Sequence, residues 1–142
     1  MNLLDRFDLT GRVGVVTGSG QGIGRAIAWG LADAGCDVVL NARRMSDLEI
    51  TAAGVEERGR QALIVAGDIR DLSESLADQT MERFGRLDAL INNAGVDRTE
   101  ACDVLTVEDW DHILGVNLRG PFLLARQALP VMRRQRSGHI VN

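Results

Sequence analysis

The segment Thr17-Gly18-Ser19-Gly20-Gln21-Gly22-Ile23-Gly24 alternates glycine with small or polar residues. Its spacing is G-x-x-x-G-x-G through Gly18, Gly22 and Gly24. It is not G-x-G-x-x-G, because the sixth position from Gly18 is Ile23 and from Gly20 is Arg25. Glycines take backbone angles closed to other residues and let an anion come close to the main chain. A helix starting just after such a turn offers free N–H groups and the positive end of its dipole to a pyrophosphate. The candidate contacts are Gly18, Ser19, Gln21, Gly22, Ile23 and Gly24. The alternative is a merely tight turn between strand and helix. The β-branched run before it and the helical pattern after it favour the phosphate reading.

A second segment, Asn41-Ala42-Arg43-Arg44, lies about 20 residues further on, where dinucleotide folds select the ribose. It has no carboxylate to accept from a ribose 2′-hydroxyl. It has two guanidiniums, which suit a phosphate bidentately. Ala42 and Arg43 are therefore candidate cofactor contacts, and NADP is favoured over NAD. The alternative is that one or both arginines are solvated charges at a helix entry.

Several elements must hold these residues in place. Val13 to Val16 is a short apolar run, as buried parallel strands are. Ile23, Ile27 and Leu31 recur at helical spacing. Ala26, Gly30 and Ala34 form a row of small residues suited to packing on a sheet, and Gly35 stands where a glycine ends a helix. Asp37 to Asn41, Ala62 to Ala66 and Leu87 to Ile91 read as strands two to four. Ser46 with Glu49 and Asp71 with Glu74 match capping boxes for helices two and three, the third ending at Gly85. Thr106 and Asp109 open a long helical region reaching about Arg136. Arg133, Arg134 and Arg136 at its end suit the negative pole of the dipole. His139 to Asn142 reads as a fifth strand. Strands alternating with helices imply right-handed βαβ units and a parallel sheet.

Composition excludes some chemistry. The chain has 142 residues, and its 16 basic residues are all arginine. It has no Lys and no Tyr, so Schiff-base chemistry, a P-loop lysine and a Tyr/Lys proton pair are closed to these residues alone. A net charge of -4 gives no overall basic footprint for nucleic acid. Cys36 and Cys102 suggest no disulfide framework and a reduced compartment. Cys36 reads as a small buried residue. His112 and His139 have no Cys or carboxylate neighbours at ligand spacing, so no metal site is expected. Trp29 and Trp110 read as packing residues. Acidic residues interrupt the N-terminus early, so no signal peptide is read there. No apolar run approaches the ~20 residues of a membrane helix. A cytoplasmic location is the default expectation.

Three further segments are Gly67-Asp68-Ile69 after strand three, Asn92-Asn93-Ala94-Gly95 after strand four, and Asn117 in the long helix. Together with Thr17 to Gly24 they resemble, in order and spacing, the short-chain dehydrogenases/reductases over essentially the whole chain. The resemblance implies a Rossmann-like doubly wound α/β domain over residues 1–142, with strand order 3-2-1-4-5. It implies that Asp68 and Ile69 face the adenine, with the Asp68 side chain bonding its amino group. It also implies that Asn93, Ala94 and Gly95 admit a cofactor ribose, with a partly structural role. Asn117 would belong to the catalytic tetrad, its main-chain carbonyl holding a water of the proton relay. Pro121, four residues later, removes the N–H that this carbonyl would bond, so a kink and a free carbonyl are expected.

The implied activity is NADP-dependent carbonyl reduction or secondary-alcohol oxidation. Gln21 stands where many NADP-using members carry a basic residue, which keeps NAD possible. The family's catalytic Ser follows the strand that begins at His139, and its Tyr-x-x-x-Lys lies beyond. None of the three falls within these residues. The domain is thus expected to be incomplete at its C-terminus and inactive alone. A non-catalytic dinucleotide-binding or regulatory module is the alternative. Another Rossmann-like enzyme, such as a methyltransferase, is disfavoured by Asn92 to Gly95. Helices one and two are expected on one face of the sheet and the later helices on the other. Apolar surface left exposed, with homo-oligomerisation through the long helix near 107–136, is also expected.

Overall fold

The computed structural model describes residues 6–72 and 75–142. Its elements are β1 (Val13–Thr17), α1 (Gly22–Asp33), β2 (Asp37–Ala42), α2 (Met45–Glu57) and β3 (Ala62–Ala66), followed by α3 (Leu76–Phe84), β4 (Ala89–Ile91), α4 (Val107–Leu114), α5 (Gly120–Gln135) and β5 (His139–Val141). The strands form one sheet in the order β3-β2-β1-β4-β5, and every pairing is parallel. This is the Rossmann-like order expected from the motifs. The register sets Thr17 beside Asn41 and Val16 beside Ile91. The carboxyl ends of β1, β2 and β4 therefore share one edge, where ligands bind in open α/β sheets.

Alternation along the strands divides the core in two. Val16, Val38 and Leu40 face α1 and α2, packing on Ala28, Ala32, Leu48 and Val55. Val13, Val15, Val39 and Leu90 face α3 and α5, packing on Leu76, Leu124, Ala128 and Val131. The division of helices between faces agrees with the sequence reading.

Some local expectations are corrected. The small residues of α1 that pack are Gly24, Ala28 and Ala32. Ala26 and Gly30 are exposed, and so is Ile23. The helix is turned so that its thinnest side backs onto the glycine turn. Helix α1 does end as read. The Gly35 N–H bonds the Ala32 carbonyl at 2.9 Å, and the Cys36 N–H bonds the Leu31 carbonyl at 3.0 Å. That pair is a Schellman closure.

Ser46 does not cap α2: the helix begins at Met45, its N-cap is Arg44, and no side chain caps it. An ion pair between Arg44 and Asp47 at 2.7 Å stands there instead. Glu74 of the second expected box lies outside the described residues, as do residues 1–5 of the N-terminal segment. Helix α3 begins at Leu76 with no side-chain cap. At Thr106 the reading holds, since its side chain accepts from the Asp109 N–H at 3.1 Å.

The long helix is not continuous. Between α4 and α5, Gly115–Arg119 widens into a π-turn, and the Gly120 N–H reaches back to the Gly115 carbonyl. Pro121 follows at once, in the first turn of α5. The irregularity expected from Pro121 is thus a widened turn, as π-bulges are. Trp110 does not pack inward, being 56% exposed. Val107, Leu118 and Phe122 are also exposed on this stretch. No helix among the described residues is long and apolar enough to cross a membrane.

Candidate functional site

An open cleft of about 650 Å³ lies at the carboxyl edge of the sheet. Four segments build it: the glycine turn after β1, the start of α2 after β2, Gly67 to Ile69 after β3, and the segment after β4. The cleft is narrow at its base because the chains touch. A Cβ placed on Gly18, where φ is +65°, would lie 2.9 Å from both Ala94 Cα and Asn93 Nδ2. A Cβ on Gly24 would overlap the Gly18 carbonyl oxygen and sit 2.5 Å from Asn93 Nδ2. Gly22, with φ at +54°, has nothing within 4 Å of such a Cβ. Two glycines therefore press the turn against β4 while the third opens onto empty space.

Side chains lock this arrangement from beneath. Asn93 Nδ2 donates to the Thr17 carbonyl at 3.0 Å and to the Gly18 carbonyl at 3.3 Å. Thr17 Oγ1 accepts the Ala94 N–H at 3.0 Å. Ser19 is fully buried. Its hydroxyl accepts the Asn41 N–H at 3.0 Å and contacts the Asn41 carbonyl at 3.3 Å. It therefore lies below the cleft and not in its lining. Arg25 supports the turn from behind. Its guanidinium donates to the Gly20 carbonyl, to Thr51 Oγ1 at 3.0 Å and to the Asp47 carbonyl at 3.2 Å. Gln21 makes no cap bond, so first-turn amides of α1 remain for a ligand.

The cleft lining brings together Gly18, Gln21, Gly22, Ile23, Gly24, Ala42, Arg43, Asp68, Ile69, Asn93, Ala94 and Gly95. Of the residues singled out in the sequence, Ser19 and Asn117 stand outside it. Arg43 is exposed and makes no ion pair among the described residues. Asp68 accepts from Arg70 Nε at 3.0 Å, Arg70 Nη2 at 2.7 Å and the Arg70 N–H at 2.9 Å. Hydrogen bonding from the Arg70 side chain holds its carboxyl down at about 2, so Asp68 stays an anionic acceptor. Cys36 lies far from this edge, packed under β1. Burial pushes its thiol up to about 12, with Asp88 and Asp37 adding to the effect, which disfavours the nucleophilic thiolate. No group of three potential metal-ligating side chains occurs among the described residues.

The family model for short chain dehydrogenases matches residues 12–142. The chain belongs to the short-chain dehydrogenase/reductase family. A sepiapterin reductase of Chlorobaculum tepidum is 38% identical over 135 residues, which is 89% of this chain and 55% of that protein. A short-chain type dehydrogenase/reductase from Mycobacterium marinum superposes with a TM-score of 0.93 at 32% identity, over 99% of this chain and 58% of its own. A metagenomic short-chain oxidoreductase solved in complex with NADP has a TM-score of 0.88 at 37% identity, over 93% of this chain and 61% of its own. The chain spans about half the length of the relatives it matches.

Within this short-chain dehydrogenase/reductase fold, Asn117 occupies the π-turn and its side chain is committed. Oδ1 accepts the Val96 N–H at 2.8 Å, and Nδ2 donates to the Val96 carbonyl at 2.7 Å. This bidentate clasp fixes the loop that follows Gly95. The sequence points to Asn117 only by family resemblance and its place before Pro121. It gives no sign of the clasp, because Val96 is 21 residues away. Thr17, Arg25 and Asp47 were also missed. Thr17 directly precedes the glycines, and Asp47 lies at i,i+3 from Arg44, a recognised helix pairing.

Proposed function

We propose that this chain is the dinucleotide-binding part of an NADP(H)-dependent oxidoreductase acting on a small carbonyl compound or secondary alcohol, with NAD(H) as the weaker ligand. The observation that carries the reading is Arg43, exposed at the carboxyl end of β2 beside the cleft, with no carboxylate in the segment Asn41-Ala42-Arg43-Arg44 itself. The glycine cradle fits a pyrophosphate, since Gly22 leaves free space where a side chain would stand. A bound nicotinamide dinucleotide would supply the hydride to a carbonyl carbon or accept it from a secondary alcohol. The residues of this chain bind and orient it. First-turn amides of α1 meet the phosphates, Arg43 meets a 2′-phosphate, and Asp68 and Ile69 meet the adenine. Ala94 and Gly95 leave room for a ribose, and Asn117 stands at the reacting end. The 142 residues contain no Tyr and no Lys. Proton transfer therefore falls to groups they do not contain, and these residues alone are expected to bind without turnover.

The titration that tests this follows NADPH and NADH fluorescence on the wild-type chain and on Arg43→Ala. Wild type is expected to bind NADPH in the micromolar range. Loss of the bidentate contact is expected to weaken NADPH by about tenfold or more, with NADH within about threefold. Equal loss for both dinucleotides would contradict the assignment of Arg43.

The exposed Val107, Trp110, Leu118 and Phe122 support self-association through 107–136. Sedimentation velocity is expected to find a dimer or larger species. A monomer at high concentration would contradict it.

A further inference from the structure

Two carboxylates line the cleft, and while Asp68 is held by Arg70, Asp47 stands beside the glycine turn that is shaped for anions. It stands in the first turn of α2, three residues after Arg44. A Cβ built on Gly20 would lie 3.1 Å from Asp47 Cβ, 3.2 Å from Ala42 Cβ and 3.9 Å from Asp47 Oδ2. The carboxylate thus sits between the glycine turn and the ribose-selecting end of β2. It is anchored there, because the Asp47 main-chain carbonyl accepts from Thr51 Oγ1 at 3.1 Å and from Arg25 Nη2 at 3.2 Å.

Its charge is directed at Arg44. Asp47 Oδ2 pairs with Arg44 Nε at 2.7 Å, and Arg44 Nη2 contacts Gln21 Oε1 at 3.4 Å. Gln21, Arg44 and Asp47 therefore form a chain across the ribose end of the cleft. Of the two guanidiniums there, Arg44 is engaged, while Arg43 has no ion pair among the described residues. A phosphate arriving beside Ala42 meets one unengaged cation with a carboxylate close by. If Arg44 turned to that phosphate, Asp47 would be left unpaired next to it. A dinucleotide with an unmodified ribose meets neither cost.

We propose that Asp47 is a specificity-determining residue that holds down the preference for a 2′-phosphorylated dinucleotide, by engaging Arg44 and by placing negative charge at the ribose end. The proposal rests on the dinucleotide reading above. It assigns a limit on that proposed preference to Asp47, where the sequence suggests only Gln21.

The test is a cycle of variants, each titrated with NADPH and with NADH, and each checked for its helical circular dichroism. In Asp47→Asn the preference, expressed as the Kd for NADH over that for NADPH, is expected to rise by about three- to tenfold. In Arg44→Ala it falls below wild type, because the carboxylate is left bare. In the double variant Arg44→Ala/Asp47→Asn it recovers above the single Arg44→Ala value. Asp47→Ser repeats the first arm with a residue well suited to a helix start, in case the amide disturbs α2. A purely structural Asp47 would move both affinities together and leave the ratio unchanged. An unchanged or lowered ratio in Asp47→Asn and Asp47→Ser, with wild type binding both dinucleotides, overturns this proposal and leaves the dinucleotide reading standing. Failure of wild type to bind either dinucleotide overturns both.

Discussion

Gly24→Ala is expected to lower dinucleotide affinity on the order of 100-fold, equivalent to about 2.7 kcal/mol. The added methyl would overlap the Gly18 carbonyl oxygen and press on Asn93 Nδ2. Neither neighbour can step aside easily. The Gly18 oxygen is main chain inside the turn, and Asn93 Nδ2 is already bonded to the Thr17 and Gly18 carbonyls. The turn must therefore move away from β4, and that displaces the amides proposed to meet the phosphates. Overpacking of this kind also costs about 1–3 kcal/mol of stability. Gly30→Ala is the matched control. Gly30 lies in the same helix, with nothing within 4 Å of an added Cβ. Alanine there should leave affinity unchanged and stabilise α1 by up to about 1 kcal/mol. NADPH titration and thermal melts of the two variants check both statements. Binding by Gly24→Ala within about threefold of wild type would contradict the close-packed turn.

The second large effect concerns stability. Asp88, just before β4, is buried and gathers three partners. Oδ1 accepts from Arg12 Nη1 at 3.0 Å and Arg86 Nη2 at 2.7 Å, while Oδ2 accepts from the Val13 N–H at 2.9 Å and Arg86 Nε at 2.7 Å. It thereby ties the entry of β1 to that of β4, the two strands whose far ends carry the glycine turn and Asn93. Asp88→Ala leaves the Val13 N–H without this acceptor. The arginines are partly exposed, so water takes much of their share. The expected loss is about 2–3 kcal/mol, read from urea unfolding.

Acid should reveal the same carboxylate. Burial raises its pKa, but hydrogen bonds from Arg86, the Val13 N–H and Arg12 outweigh that and leave it lowered. A lowered folded pKa means that the stabilisation is fully present above the ordinary carboxylate value, about 4. It is lost as pH falls through the lowered value. The difference between wild type and Asp88→Ala should therefore be constant at neutral pH and shrink below about pH 4. A stability difference that grows in acid would contradict this account of Asp88.

Much of the architecture is written in local pattern. The apolar runs at Val13, Val38 and Ala62, each followed by a helical stretch, determine a parallel sheet, and the glycine turn locates its working edge. What escaped local reading depends on contacts between distant segments. The buried face of α1 is set by where the Gly18 carbonyl meets Gly24, so the row is Gly24, Ala28 and Ala32. The start of α2 carries Arg44 and Asp47 across the cleft, and Ser46 has no part in capping it. Ser19 looked like a phosphate contact because it lies among glycines. Its hydroxyl is instead engaged with the main chain of Asn41 on the neighbouring strand. Pro121 forecast an irregular helix at Asn117, but not a π-turn, nor the clasp on Val96. Local spacing conveys which elements form; side-chain partners 20 or more residues away are settled only when the sheet closes.

The central claim is that the cleft after β1, β2 and β4 is a nicotinamide dinucleotide site. The most direct measurement is a map of backbone amide shifts in the isotope-labelled chain as NADPH is added. Large, saturating shifts are expected at Gly18, Gly22, Ile23, Gly24, Arg43, Asp68 and Gly95. Residues of the opposite sheet edge, such as Arg12, Asp88 and His139, should stay still. No shifts, or shifts centred away from the glycine turn, would contradict the account.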